Sequence, residues 1–598
     1  MRINSTRSQR SYGALGMFIS AVLIGGIAGV GALAFRLLVG FFHNLFFLGK
    51  FSVFYDANVH TGTGPWGPLI ILAPVIGGLV VVFLVRQFAP EAKGHGVPEV
   101  MDAIYYRKGI IRPVVVVIKA VASAISIGSG GAVGREGPII QIGSAFGSYL
   151  AQIIRASLPQ RITLVAAGAA GGIAATFNTP VGAVLFAVEI VLHEVSVKTL
   201  VPVAISTVTA TYIGRIFFGS HPSFVIPSFQ TSFFEVTNPV VLLTYIGLGV
   251  IVGLVAALFI RTLYGTEDLM EKWVKNPYLR AVSGLLTVGI MFYLLLQTSG
   301  HYHIEGVGYA TIQDILLGSM DRALPLLLVL FALKLIATSL TLGSGGSGGI
   351  FSPSLFLGAT IGEAFGILVH AMLPHVPISP TAFAVAGMAG LVGGGTGAAV
   401  TAIVMIFEMT LDYSVIIPMT LTVAVSYSIR TALCAESIYT MKLARRGHDL
   451  PKALQFDISR LRPARIVMAK RVAVVSLERA AKDIVRLVRE RPELSWYLLD
   501  DGGKIAGVLS RNAAMAAVFD GASGKDLITR AVHRFIFIEE ETKLGEIVSQ
   551  MQRSDSSVAL VRDPHSGGLV TEAESIVGVV SRGEIGSTII ESADLYKG

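Results

Sequence analysis

Cysteine is almost absent from this 598-residue chain: Cys434 stands alone, which excludes a disulfide within the chain and argues against a structural zinc site. Charge is scarce too. Only 14% of residues are Asp, Glu, Lys or Arg while 53% are hydrophobic, against about 25% charged in soluble proteins. That shortage points to a membrane protein. The chain also lacks a GxxxxGK[ST] phosphate loop and a basic stripe interleaved with aromatics. No nucleophile–base set or metal-ligand cluster emerges, so no catalytic residue and no metal site is assigned, and an enzyme is not expected. The net charge of +8 is read as Lys and Arg at membrane ends, not as a nucleic-acid footprint.

What charge there is gathers beyond residue 442, dividing a membrane body from a soluble tail. Arg2, Arg7 and Arg10 precede an apolar run from Ala14 to Phe47, too long for a signal-peptide core. By the positive-inside rule this N-terminus is expected in the cytoplasm. Further apolar segments follow to residue 433, including 180–192, 238–264 and 397–411. Several are too short to cross about 30 Å of hydrocarbon at about 1.5 Å per residue. Glycine and proline turns fall inside the apolar zone, where irregular backbone survives only when buried in protein or lining a cavity. Short, broken helices in matching places of two halves mark transporters and channels.

Two turns carry the chemistry. GSGGAVGREGPIIQIG (128–143) brings Arg135 and Glu136 to the start of an apolar helix, and GSGGSGGIFSP (343–353) repeats it with Phe351 in place of Glu136. Exposed N–H groups and the partial positive charge of two opposed helix starts would make a dehydrated anion site. A second landmark repeats as well: Gly168 and Gly171 precede Glu189 as Gly387 and Gly390 precede Glu408. A repeat in a membrane commonly has inverted topology. The four glycines also suit close helix packing.

GREGP (134–138), GGIFSP (348–353) and SIYTMKL (437–443), with an imperfect GHGVPE (94–99), resemble the signatures of the CLC family of chloride channels and proton/chloride exchangers. The resemblance implies an all-α polytopic membrane protein with inverted internal repeats and short broken helices, followed by an α/β soluble tandem CBS module. The expected domains are a tail (1–13), a transport body (14–446, halves 14–220 and 236–446), a linker (447–465) and CBS repeats at 466–522 and 523–598. It also implies that Glu136 is a gate, and that His95, Gly96, Arg135, Ile350, Phe351 and Tyr439 form the anion path. A carboxylate there can take the anion's place and swing aside on protonation, so flux should depend on pH. Glu136 could instead pair with Arg135, Arg135 could reach toward an interface, and Tyr439 could be an interfacial tyrosine.

Two positions depart from the family pattern. His95 replaces a serine, so the imidazole either meets the anion or points away. Ile190 replaces the inner proton glutamate and cannot relay a proton, which favours a passive voltage- or pH-gated channel. Water, Glu189 or His193 could offer another inner route, although Glu189, like Glu408, fits a structural hydrogen-bonding role. In the tail, IAGVLSRNAAM (505–515) echoes IVGVVSRGEIG (576–586) within a repeated β-α-β-β-α unit. Glu584 could contact an adenine nucleotide, but Ala513 takes the equivalent place, and a structural tail is equally consistent. No cofactor is required. The partners implied are chloride or another small anion, protons in the exchanger alternative, the bilayer and a second copy in a homodimer, with no nucleic acid. The setting implied is a plasma (inner) membrane with both termini cytoplasmic. A chloride channel leads, with an H+/Cl- exchanger and a CBS-based sensor with a vestigial pore as alternatives.

Overall fold

The computed structural model describes residues 11–193, 196–220, 222–226, 239–320, 323–375, 378–448, 463–521, 524–563 and 572–594. Arg2, Arg7, Arg10, residues 227–238 between the two halves and most of the expected linker lie outside them. The chain divides into two units, Met1–Leu454 and Gln455–Gly598.

The regular elements of the first unit are helices, among its described residues. It opens with α1 (Ala14–His43), α2 (Ala73–Phe88), α3 (Val97–Tyr105) and α4 (Val114–Gly128). Next come α5 (Glu136–Ile153), α6 (Leu158–Phe177), α7 (Pro180–Phe186) and α8 (Val197–Phe218). The second half holds α9 (Pro239–Trp273), α10 (Pro277–Ser299), α11 (Tyr309–Leu316) and α12 (Leu324–Gly343). It ends with α13 (Phe351–Met372), α14 (Pro380–Thr396), α15 (Ala399–Thr410), α16 (Ile416–Leu433) and α17 (Thr440–Ala444). Eight helices are long and apolar enough to span a membrane, among the described residues.

The halves mirror each other in their polar contacts. Glu189 accepts the N–H groups of Val400 (3.2 Å) and Thr401 (2.8 Å) at the start of α15. Glu408 accepts those of Val181 (3.0 Å) and Gly182 (2.7 Å) at the start of α7. Each carboxylate thus caps the other half's short helix, satisfying donors that have no intrahelical acceptor. Buried Lys119 donates to the carbonyls of Ala92 (3.0 Å) and Gly94 (2.6 Å) before α3. Lys334 does the same to Ile304 and Gly306 before α11, both at 2.9 Å. A Cβ on Gly143 would lie 2.1 Å from the Gly168 carbonyl oxygen, and one on Gly358 would lie 2.4 Å from that of Gly387. Close packing therefore accounts for Gly168 and Gly387. We expect Glu189→Ala to cost about 1 kcal/mol, the usual loss for a helix cap, read as a lower thermal midpoint in detergent. An unchanged midpoint would show that the capping bonds contribute nothing.

The second unit contains two three-stranded sheets. In one, β1 (Val472–Ser476) runs parallel to β2 (Trp496–Asp501), which is antiparallel to β3 (Lys504–Ser510). The other repeats this with β4 (Phe535–Glu539), β5 (Val558–Arg562) and β6 (Ile576–Ser581). A helix joins each parallel pair and another follows each third strand, giving the same β-α-β-β-α order twice. Trp496, Leu498 and Val508 of one sheet pack with Val558, Leu560 and Val579 of the other.

Candidate functional site

Three glycine-rich loops meet inside the first unit. Gly134 N–H donates to the Gly349 carbonyl (2.7 Å), and Gly349 N–H returns the bond to Gly134 (2.6 Å). Gly94 donates to Gly346 and accepts from Gly348, both at 3.3 Å. A Cβ on Gly137 would stand 2.0 Å from the His95 carbonyl oxygen and 3.1 Å from Gly349 Cα, so glycine alone permits this approach. The loops bring the first turns of α5 and α13 together, and the N–H groups of those turns lack intrahelical acceptors.

Glu136 lies at this junction, 2% exposed. Its carboxylate accepts from the Tyr309 hydroxyl (2.8 Å), the Ser352 backbone N–H (3.3 Å) and the Ser352 hydroxyl. Ser352 belongs to the first turn of α13, so an acidic side chain from one repeat occupies the helix end of the other. Two hydroxyls and one amide offer no fixed positive charge. They suit a monovalent anion that must also leave. Arg135 does not pair with Glu136; its guanidinium lies over the rings of Phe177 (5.7 Å) and Tyr309 (5.1 Å). That cationic stack replaces the expected alternative of a Glu136–Arg135 ion pair and keeps a positive charge close to the carboxylate.

A cavity of about 10 Å³, room for one water-sized particle, joins Glu136 to Tyr439; Ile173, Phe177, Phe351 and Met405 also line it. Tyr439 and His95 approach with ring centroids 6.1 Å apart. Tyr264 donates to the Ile438 carbonyl (2.6 Å), so its oxygen receives His95 Nε2–H at 3.2 Å. His95 Nδ1 is left buried without a hydrogen-bond partner. Gly96 holds a left-handed φ of +81°, turning the chain into α3. Ile350 precedes α13 and accepts from Ser354. Ile190 is buried in a π-helical turn, Ala187–Leu192, that extends α7. His193 Nδ1 follows it, 3.4 Å from the Tyr105 hydroxyl.

The sequence of residues 77–431 matches the voltage gated chloride channel family, Voltage_CLC, over more than half the chain. The chain belongs to the CLC family. It is 32% identical to the H(+)/Cl(-) exchange transporter ClcA of Vibrio parahaemolyticus over 454 residues, 73% of this chain and 92% of that protein. It is similar to the crystal structure of a slow cyanobacterial Cl-/H+ antiporter, at 25% identity and a TM-score of 0.63, covering 72% of this chain and 97% of that one. The structure of a eukaryotic CLC transporter covers 95% of this chain and 98% of its own at 21% identity, with a TM-score of 0.59, and shares the fold. This is a multi-pass membrane protein of CLC type that carries out anion transport, with a soluble mixed α/β module consistent with a CBS pair.

Three CLC-site residues were missed in the sequence. Ser352 sits inside GGIFSP beside Phe351, and its hydroxyl was the available signal. Tyr309 follows Gly306 and Gly308, which mirror Gly94 and Gly96 in their left-handed backbone. That repeat lacks proline and is too short to see in the letters alone. Tyr264, deep in α9, gave no signal. In the tail, Glu584 is already engaged: its carboxylate accepts from Ser581 N–H (3.0 Å), the Ser581 hydroxyl and Trp496 Nε1 (3.5 Å). Ala513, in the equivalent place of the first repeat, offers no carboxylate.

Proposed function

We propose that this protein exchanges chloride for protons, with Glu136 as the group that alternates between the two. One observation carries the reading: Glu136 occupies donors from Tyr309 and Ser352 at a helix end that would otherwise attract an anion. Ionised, the carboxylate fills that place. Protonated, it loses the charge that holds it there and yields to chloride, so proton and anion compete for one position. The relative named as an H(+)/Cl(-) exchange transporter supports coupling over passive flow.

Ile190 favours a second reading, a passive channel gated by Glu136, because its side chain has no proton to pass. Glu189 is committed to capping α15, which leaves His193 and water for an inner route. Proton uptake during downhill chloride efflux from reconstituted vesicles separates the readings. Uptake in fixed ratio to chloride supports exchange; chloride efflux with no proton movement supports the channel. We further propose a homodimer in a plasma membrane with both termini cytoplasmic and the tail in a structural role without bound nucleotide.

A further inference from the structure

A second set of titratable groups lies beyond Tyr309. His60 Nε2 bonds Asp314 at 2.6 Å. The His301 ring stacks on His60 at 4.1 Å, and His303 meets it edge-on at 5.2 Å. His301 is exposed while His303 is buried. Thr311 donates its hydroxyl to the His303 carbonyl (3.3 Å), so its oxygen receives His303 Nδ1–H (3.0 Å). His303 Nε2 is therefore a bare lone pair, and it has no hydrogen-bond partner. Glu305 Oε2 is also unpartnered.

His60, His303, Glu305 and Tyr309 line one cavity of about 10 Å³, enough for a single water. It shares no lining residue with the cavity that joins Glu136 to Tyr439. Tyr309 lines the second cavity and its hydroxyl donates to Glu136, which lines the first, so this residue links the two. Other groups facing the cluster are Tyr55 and Asp56 from the preceding loop and His43 at the end of α1. Arg135 and Lys334 act from farther inside.

We propose that His60, His301 and His303 collect protons and pass them through this cavity and Tyr309 to Glu136. The step balances: an imidazolium gives a proton to water in the cavity, water gives one to the Tyr309 oxygen, and Tyr309 gives its own to the Glu136 carboxylate. The carboxylates of Glu305 and Asp314 oppose an anion site here, and no three His, Cys, Asp or Glu side chains converge as metal ligands among the described residues. Burial, with the like charge of His60 and His301, lowers His303 to about 4, so this ring stays neutral near neutral pH and passes on readily any proton it receives. Burial and His60 also lower His301.

The inference rests on Glu136 being the protonated gate, and the test separates the two. Chloride efflux from vesicles is compared at about pH 7 and about pH 4.5, on either side of an ordinary histidine. The variant H60Q/H301Q/H303Q should lose on the order of tenfold at neutral pH, a modest share of the usual proton-transfer effect. Added imidazole buffer should restore it, and acid flux should match the parent. Exposed H301Q alone should show a smaller, rescued loss and serves if the triple variant does not assemble. Unaltered neutral flux, or a loss at both pH values that imidazole does not repair, overturns the relay. Persistent pH dependence in Glu136→Gln overturns the gate itself.

Discussion

Glu136→Gln should abolish the pH dependence of chloride flux and uncouple chloride from protons. The amide keeps the size of the side chain but cannot ionise, so the charge that draws it onto Ser352 and Tyr309 is gone. Charge-assisted hydrogen bonds are about twice as strong as neutral ones, and their loss favours release of the side chain toward chloride. Flux at neutral pH should therefore rise to the acid level of the parent and stay flat on titration. Proton uptake should vanish. A variant whose flux still climbs as pH falls would place the titrating group elsewhere.

Gly137→Ala should abolish transport by preventing assembly of the site. Its methyl group would stand 2.0 Å from the His95 carbonyl oxygen and 3.0 Å from the His95 carbonyl carbon. Both neighbours are backbone, held by the bonds linking Gly94 to Gly346 and Gly348, so neither can turn aside. Overpacking of this kind commonly costs about 1–3 kcal/mol, and relief requires α3 and α5 to separate where the anion is held. Gly395→Ala provides the control, since a Cβ there meets nothing within 4 Å. Chloride efflux and elution as a single folded species are the readouts. Parent-like efflux from Gly137→Ala would show that the loops are not as close as described.

The two GSGG turns were legible because the membrane imposes a strong rule: broken backbone in an apolar zone must be buried or line a cavity. That rule located Glu136 and Phe351, and the structure joins their turns through Gly134 and Gly349. The roles of Glu189 and Glu408 were legible as hydrogen bonding, but not as reciprocal caps, because each partner lies more than 200 residues away. The extent of α9 was not legible. Hydropathy places its end near residue 264, yet the helix continues to Trp273 through TEDLMEKW, where Glu267, Leu269, Met270, Glu271 and Lys272 favour helix. The histidine cluster was invisible for another reason: His60 and His301 come from distant loops that only the fold brings together.

The most direct test of the site is anomalous diffraction from crystals soaked in bromide, comparing the parent with Glu136→Gln. A bromide peak is expected in the variant at the start of α13, within hydrogen-bonding reach of Ser352 N–H and the Tyr309 hydroxyl, where the parent shows its own carboxylate. No bromide at that position in the variant, with the substituted amide side chain withdrawn from it, would contradict the claim that anion and carboxylate share one place.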